Sequence, residues 1–366
     1  MPSKRVLLVE VHRFHTFVLL PQCLLLLEAG YQVFILLNTK NPDYSTIQNL
    51  EGVEVIPFPC ELKIICTIRA FIHQAQQTYD FIIFNTLPWA MRHKIFILLL
   101  PQELRFIMHQ VGMRERYEAR QTQRILFKML ARKAARFLYL SETTYHNAMR
   151  RFPELAHKTT YFYPNRYPNW PATSKDDDPS AGRVMFAILG EVDARRRNYQ
   201  SLIDAFEQLV QSPLAEQITI RIMGSTHTEL GTQLIKAAHE YSLLGTTIQL
   251  QQEQFIALPE YLQALRSSHF IIPLIDNTVE EPYNIKTAPS SLMLGRGLTI
   301  PVVVSNEFLL DEDLKPFSIS YHRQDLTSGL EAAVQLYYSP NYEHMLTQYR
   351  AVQEELFQKS VENYLA

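Results

Sequence analysis

The 366 residues carry 47% hydrophobic and 20% charged side chains, a balance that excludes a disordered or fibrous chain, and the length suits two domains of roughly 150–200 residues each. Three cysteines, Cys23, Cys60 and Cys66, exclude a disulfide framework and read as reduced core thiols. The net charge of -2 hides an asymmetry: residues 1–170 hold 21 Lys and Arg against 12 Asp and Glu, while residues 171–366 hold 14 against 25.

Met1–Val11 (MPSKRVLLVEV) runs into a strand pattern without the apolar helical stretch and cleavage site of a secretory leader. No run of about 18 uncharged apolar residues occurs, so the expectation is a cytoplasmic chain. Arg5–Val11 reads as a strand, His12–Thr16 as a polar turn, and Val18–Ala29 as a helix stopped by Gly30. Strands are expected at Tyr31–Leu37, Val53–Phe58 and Tyr79–Phe84. Asn38–Asn49 is turn-rich, Leu62–Gln77 suits a helix, and Trp89–Leu99 has helical length. Arg105–Gln110 and Phe137–Ser141 are further strands, separated by Arg114–Arg136, which reads as one long basic helix. A helix of this kind can lie on an anionic membrane surface or serve as a solvated face that pairs with the acidic half. It lacks the interleaved aromatics of a nucleic-acid interface, so no nucleic acid is expected.

The proline-rich Tyr161–Ser174 and the acidic Lys175–Gly182 break the periodicity, which places a domain boundary near 170–182. The alternation then restarts. Strands are predicted at Val184–Leu189, Ile218–Met223, Thr247–Leu250, Phe270–Leu274 and Ile300–Val304. Helices are predicted at Tyr199–Val210, Leu230–Tyr241, Leu258–Ser267, Asp325–Tyr337 and Tyr342–Val361. Strands alternating with helices imply crossover connections, hence two doubly wound α/β domains with mostly parallel sheets.

Candidate site residues cluster in the loops that follow strands, where α/β proteins bind ligands. Gly190 ends a strand and permits positive φ or close backbone approach. Arg195, Arg196 and Arg197 precede a helix N-terminus and form either a phosphate site or a solvated cluster. Gly224 marks a second loop at the same end of the sheet. Between Phe270–Leu274 and Ile300–Val304 lie Glu280 and Glu281 for sugar or ribose hydroxyls, Lys286 for a phosphate, and Ser290 and Ser291 at a helix start. In the first half, His109 ends a strand and suits proton handling near neutrality, or a place in the core. His12 and His15 lie in the first strand-to-helix loop as acceptor-side candidates. No spacing of histidines and carboxylates supports a metal site. Neither GxGxxG nor a P-loop occurs.

This pattern resembles the GT-B glycosyltransferases, most closely the glycogen-synthase-like group often called family 4, over nearly the whole chain and most strongly from Met185 to Ser305. Gly190 looks like the glycine ending the first strand of that group's donor domain. Arg197, with Asn198 and then Leu202, looks like its lysine before glycine and leucine, which implies contact with the donor diphosphate. Glu191 stands in an arginine slot, so one of the group's two phosphate cations is either missing or replaced by Arg195 or Arg196. Glu281 matches the first of two glutamates eight positions apart, and the second falls on Pro289; Lys286 and Ser290 would form a variant site. His109 looks like the cleft histidine near donor sugar and acceptor. Glu10–Thr16 lacks the glycine-rich turn of many members.

The resemblance implies a GT-B fold of two Rossmann-like domains facing across a cleft. Residues 1–170 would bind the acceptor, 171–182 would be the linker, 183–341 would bind the donor, and the helix 342–361 would cross back onto the first domain. It implies a nucleotide-diphosphate sugar as donor substrate, no cofactor and no metal; many members retain the anomeric configuration, and retaining and inverting transfer both stay open. The acceptor would be a carbohydrate or a lipid-linked hydroxyl, with peripheral membrane contact through Arg114–Arg136. An inactive GT-B-like binding module and a sugar-nucleotide epimerase are the alternatives.

Overall fold

The structure, a computed structural model, describes residues 4–12, 15–58, 79–86, 97–98, 100–111, 121–167, 182–250, 256, 258–280, 287–322 and 325–365. The chain divides into two compact units. The first comprises Met1–Pro168, Ile285–Ala288 and Phe357–Ala366, and the second Asn169–Asn284 and Pro289–Leu356.

In the first unit seven parallel strands lie in the order β3-β2-β1-β4-β5-β6-β7. They are β1 Arg5–Glu10, β2 Gln32–Asn38, β3 Val53–Phe58, β4 Phe81–Phe84, β5 Glu103–Met108, β6 Ala134–Tyr139 and β7 Thr159–Tyr161. Val6 pairs with Val33 on one side and Phe81 on the other, so β1 is central and its apolar run is buried. The helix Thr16–Glu28 follows β1, and Gly30, at φ 82°, lets the chain turn back into β2. Pro21 lies inside this helix and has no N–H for the carbonyl of Phe17. The Tyr167 hydroxyl donates to that carbonyl instead, at 3.0 Å.

The long basic helix expected at Arg114–Arg136 is corrected at its C-terminal end. The described helix is Gln121–Lys133, and Ala134 already pairs with Leu104 in the sheet. Lys158 sits over the exit, donating to the carbonyls of Arg132 and Ala134 at 2.9 and 2.8 Å. Arg114–Arg120, Cys60, Cys66 and the helix expected at Leu62–Gln77 lie outside the described residues. Of Trp89–Leu99 only Ile97 and Leu98 are described, both helical. Cys23 is a fully buried thiol whose ionisation burial suppresses.

The second unit repeats the plan with six parallel strands, ordered β10-β9-β8-β11-β12-β13. They are β8 Val184–Leu189, β9 Ile218–Met223, β10 Ile248–Leu250, β11 Phe270–Ile271, β12 Val302–Ser305 and β13 Ser318–Tyr321. Its core packs Val184, Phe186, Ile188, Ile218 and Ile220 against Leu202, Phe206 and Leu330 from the flanking helices. β11 is shorter than the predicted Phe270–Leu274. Pro273 has no N–H to give to the sheet, and Leu274 turns the chain at φ 51°. β12 starts at Val302 because Pro301 precedes it, contributing only its carbonyl to Ile271. Each sheet thus has the doubly wound arrangement predicted from the alternation.

Candidate functional site

In both sheets the first strand has its successor on one side and the fourth strand on the other. The chain reverses its winding there, and in open α/β sheets ligands bind outside the carboxyl ends of the strands at such a point, here β8 and β11 in one unit and β1 and β4 in the other.

In the second unit β8 hands over to Gly190, which stands at φ 90°. A Cβ on this residue would lie 2.7 Å from Nη2 of Arg197, and a Cβ on Gly224, after β9, would lie 2.1 Å from the Gly190 carbonyl oxygen. The two glycines therefore allow the loops after β8 and β9 to pack backbone on backbone. They also leave the guanidinium of Arg197 against bare main chain. Arg197 is only 5% exposed, and its Nε donates to Leu189 O at 2.6 Å. Arg195 and Arg196 engage Asp193 instead, at 2.9 and 3.7 Å, with both arginine side chains largely exposed. The hydrogen bond from Arg195 holds the Asp193 carboxyl below the usual range. Of the three arginines, Arg197 is thus a buried cation, while Arg195 and Arg196 form surface pairs with Asp193.

Asn198 ties the loops after β8 and β11 together. Its side chain caps the helix Tyr199–Gln211 by accepting from Ser201 N at 3.2 Å, and donates to Asp276 Oδ2 at 2.5 Å. Its N–H donates to Leu274 O at 2.7 Å. Leu274 is held in a left-handed conformation that costs on the order of 1 kcal/mol. Asp276 also accepts from the N–H of Thr278 at 2.8 Å and from its hydroxyl. Asn198 was singled out only beside Arg197, and Leu274 and Asp276 not at all. The available signal is a carboxylate directly after the apolar run Phe270–Ile275.

Ser290 opens the helix Ser290–Leu298 behind Pro289, with no side-chain cap. Pro289 thus offers the first N–H groups no side-chain acceptor, and helix starts without such a cap can bind anions. Neighbouring Ser291 is fully buried, its hydroxyl without a partner among the described residues. Glu281 and Lys286 lie outside the described residues, and Glu280 lies in the bend before them.

In the first unit the three histidines assemble near the end of β1. The rings of His15 and His109 are 4.4 Å apart between centroids. His109 Nε2 is 2.6 Å from Asn85 O, and a carbonyl only accepts, so this nitrogen carries the proton and Nδ1 keeps the lone pair. Burial brings His109 down to about 4 and His15 to about 3, and lowers His12 as well. All three rings are thus neutral at pH 7. Thr287 donates its hydroxyl to His109 O at 2.8 Å, and Gln110 forms a bridge with Thr287.

Beneath them Glu10 is fully buried. It accepts from His12 N at 2.8 Å, Asn85 Nδ2 at 2.6 Å and Thr86 Oγ1 at 2.7 Å. Burial pushes its carboxyl up to about 7 against the pull of these donors. Among the described residues no group of three or more His, Cys, Asp or Glu is placed to hold a metal ion.

No protein-family profile matches the chain. No curated protein matches its sequence. Solved structures do match. HepE from Anabaena in complex with UDP-glucose superposes with a TM-score of 0.63 at 14% identity, over 97% of this chain and 98% of that one. Sucrose-phosphate synthase from Thermosynechococcus elongatus gives 0.61 at 16% identity, over 98% and 96%. A Listeria monocytogenes chain assigned as a UDP-N-acetylglucosamine 2-epimerase gives 0.60 at 10% identity, over 94% and 91%. At these identities the likeness speaks for architecture. The chain has the two-domain, Rossmann-like α/β fold of the GT-B glycosyltransferases.

Proposed function

We propose that the protein is a glycosyltransferase that moves a sugar from a nucleoside-diphosphate sugar to an acceptor hydroxyl. In this reading the second unit holds the donor outside β8 and β11. Arg197 and the uncapped start of the helix Ser290–Leu298 supply the charge that meets the diphosphate, so no metal is required. The bond from the anomeric carbon to the phosphate oxygen breaks and a bond to the acceptor oxygen forms. The hydroxyl proton goes to the departing diphosphate, and configuration is retained. The first unit presents the acceptor, with His109 Nδ1 accepting a hydrogen bond from a neighbouring, non-reacting hydroxyl of the acceptor and His12 and His15 beside it. The acceptor class is a carbohydrate or a lipid-linked hydroxyl, and contact with an anionic membrane surface would run through the helix Gln121–Lys133.

The observation that carries this reading is the buried cation at the bare backbone of Gly190, at the switch point of a fold shared with sugar-nucleotide enzymes. Calorimetry with UDP, UDP-glucose and other nucleoside-diphosphate sugars tests it. Arg197→Ala should weaken the dissociation constant by roughly 1.5–3 kcal/mol, the worth of a charged hydrogen bond. Undiminished affinity in that variant removes Arg197 from the site. Absence of binding by any nucleotide in the wild type leaves the inactive module.

An epimerase is the second reading, favoured by the Listeria likeness. It predicts a changed sugar configuration without any acceptor, which NMR of the incubated donor distinguishes from transfer.

A further inference from the structure

Four fully buried polar side chains form one directed chain in the first unit: Tyr364, Gln22, Asn85 and Glu10. The Tyr364 hydroxyl donates to Gln22 Oε1 at 2.7 Å, Gln22 Nε2 to Asn85 Oδ1 at 2.7 Å, and Asn85 Nδ2 to Glu10 Oε2 at 2.6 Å. One backbone group fixes the direction of every bond. Gln22 Nε2 also faces Val18 O at 3.0 Å, and a carbonyl can only accept. The Gln22 atom facing Val18 is therefore the nitrogen, its oxygen is left for Tyr364, and Asn85 must turn its oxygen to Gln22 and its nitrogen to Glu10. Burial keeps the Tyr364 phenol protonated far above neutrality, so the first donor is always present. Arg105 anchors the last turn of the helix Asn341–Leu365, donating to the carbonyls of Tyr364 and Leu365. Tyr163 N–H donates to Ser360 Oγ at 3.0 Å on the same helix.

Asn85 is the junction. Its side chain closes the chain onto Glu10, which holds His12 N, and its carbonyl receives His109 Nε2–H. We propose that Tyr364 and Gln22 are positioning residues. Through Asn85 they set the loop after β1 and hold His109 in the tautomer that leaves Nδ1 free to accept. They touch no substrate themselves. The link to turnover rests on the transferase reading above, whereas the link to the tautomer does not.

Long-range proton–nitrogen NMR of the imidazoles reads the tautomer directly. Wild-type His109 should show a protonated Nε2 and an unprotonated Nδ1 at pH 7. Tyr364→Phe should fold, shift the His109 ring nitrogens toward a mixture of tautomers, and move the apparent pKa of Glu10 upward. The loss of one neutral hydrogen bond predicts a threefold to tenfold fall in turnover, roughly, at unchanged donor affinity. Should Tyr364→Phe fail to fold, Gln22→Met breaks the same chain one bond further in, with the same expected nitrogen shifts. A wild-type His109 protonated on Nδ1 overturns the proposal, as do variant ring nitrogens and a Glu10 pKa identical to wild type. A purely structural tyrosine would lower the melting temperature and leave both unmoved. Nitrogen shifts as expected in a protein that transfers no sugar would uphold the positioning chain and sink the transferase reading.

Discussion

Burial at the end of β1 sets opposing proton demands on neighbouring groups. His15 and His109 are brought to about 3 and about 4, burial being the main cause. An unfolded chain takes up their protons below about pH 6.5, while the folded chain resists until near pH 4. Their contribution to stability is complete above pH 6.5 and is lost as the pH falls through that window. Glu10 acts with the opposite sign. Raised to about 7 by burial, it keeps a proton in the folded chain between about pH 4.5 and 7 that the unfolded chain has released. Its contribution is complete below pH 4.5 and is lost as the pH rises through 7. Two histidines outweigh one glutamate, so these groups make stability rise with pH between 5 and 6.5. Glu10→Gln removes the opposing proton and should steepen that rise by about 1.4 kcal/mol per pH unit. Urea denaturation at several pH values measures it. Equal slopes in variant and wild type would show that Glu10 does not hold a proton in this window.

The helix Gln121–Lys133 presents Ile125, Lys128, Met129 and Arg132 along one exposed stripe and buries Phe127 and Leu130 on the other side. Ile125 and Met129 are 54% and 46% exposed. Apolar side chains interleaved with cations suit the headgroup region of an anionic bilayer, where each Lys or Arg near the surface contributes about 1 kcal/mol. The protein should sediment with vesicles containing phosphatidylglycerol and not with pure phosphatidylcholine. Lys128→Glu with Met129→Glu should abolish the sedimentation, and retention of the double variant on vesicles would exclude this face. Elements of this kind differed in how far the chain revealed them. Val53–Phe58, Val184–Leu189 and Ile218–Met223 coincide with their predicted strands; Val184–Leu189 is an uninterrupted apolar run, and the other two keep β-branched or apolar residues at alternate positions around Glu54, Thr219 and Arg221. The helix Glu142–Arg151 went unread because it is polar almost throughout and is marked chiefly by Ser141, which accepts from Thr144 N. Gly190 stood out locally from its place after a strand. The Asn198–Asp276 and Glu10–Asn85 bonds join residues 78 and 75 positions apart, which no local pattern encodes.

Across the whole molecule the same winding order occurs twice, yet the two switch points have opposite chemistry. The second unit places a buried guanidinium beside the end of β8, and the first places neutral imidazoles near the end of β1 over a buried carboxyl. In the transferase reading an anionic diphosphate would be stabilised by the former and would gain little from the latter, so charge would favour the second unit. Ligand at 100 times its dissociation constant stabilises the state that binds it by about 2.7 kcal/mol. That stabilisation slows amide exchange most where the ligand closes local openings. With UDP present, exchange should slow in Leu189–Asn198 and in the loop after β11, the segments tied by Asn198 and Leu274. The loop after β1 and the end of β4 should exchange as in the free protein. Slowing confined to the first unit would reverse the assignment of donor and acceptor sides, because the buried arginine would then hold its charge for a purpose other than the phosphate.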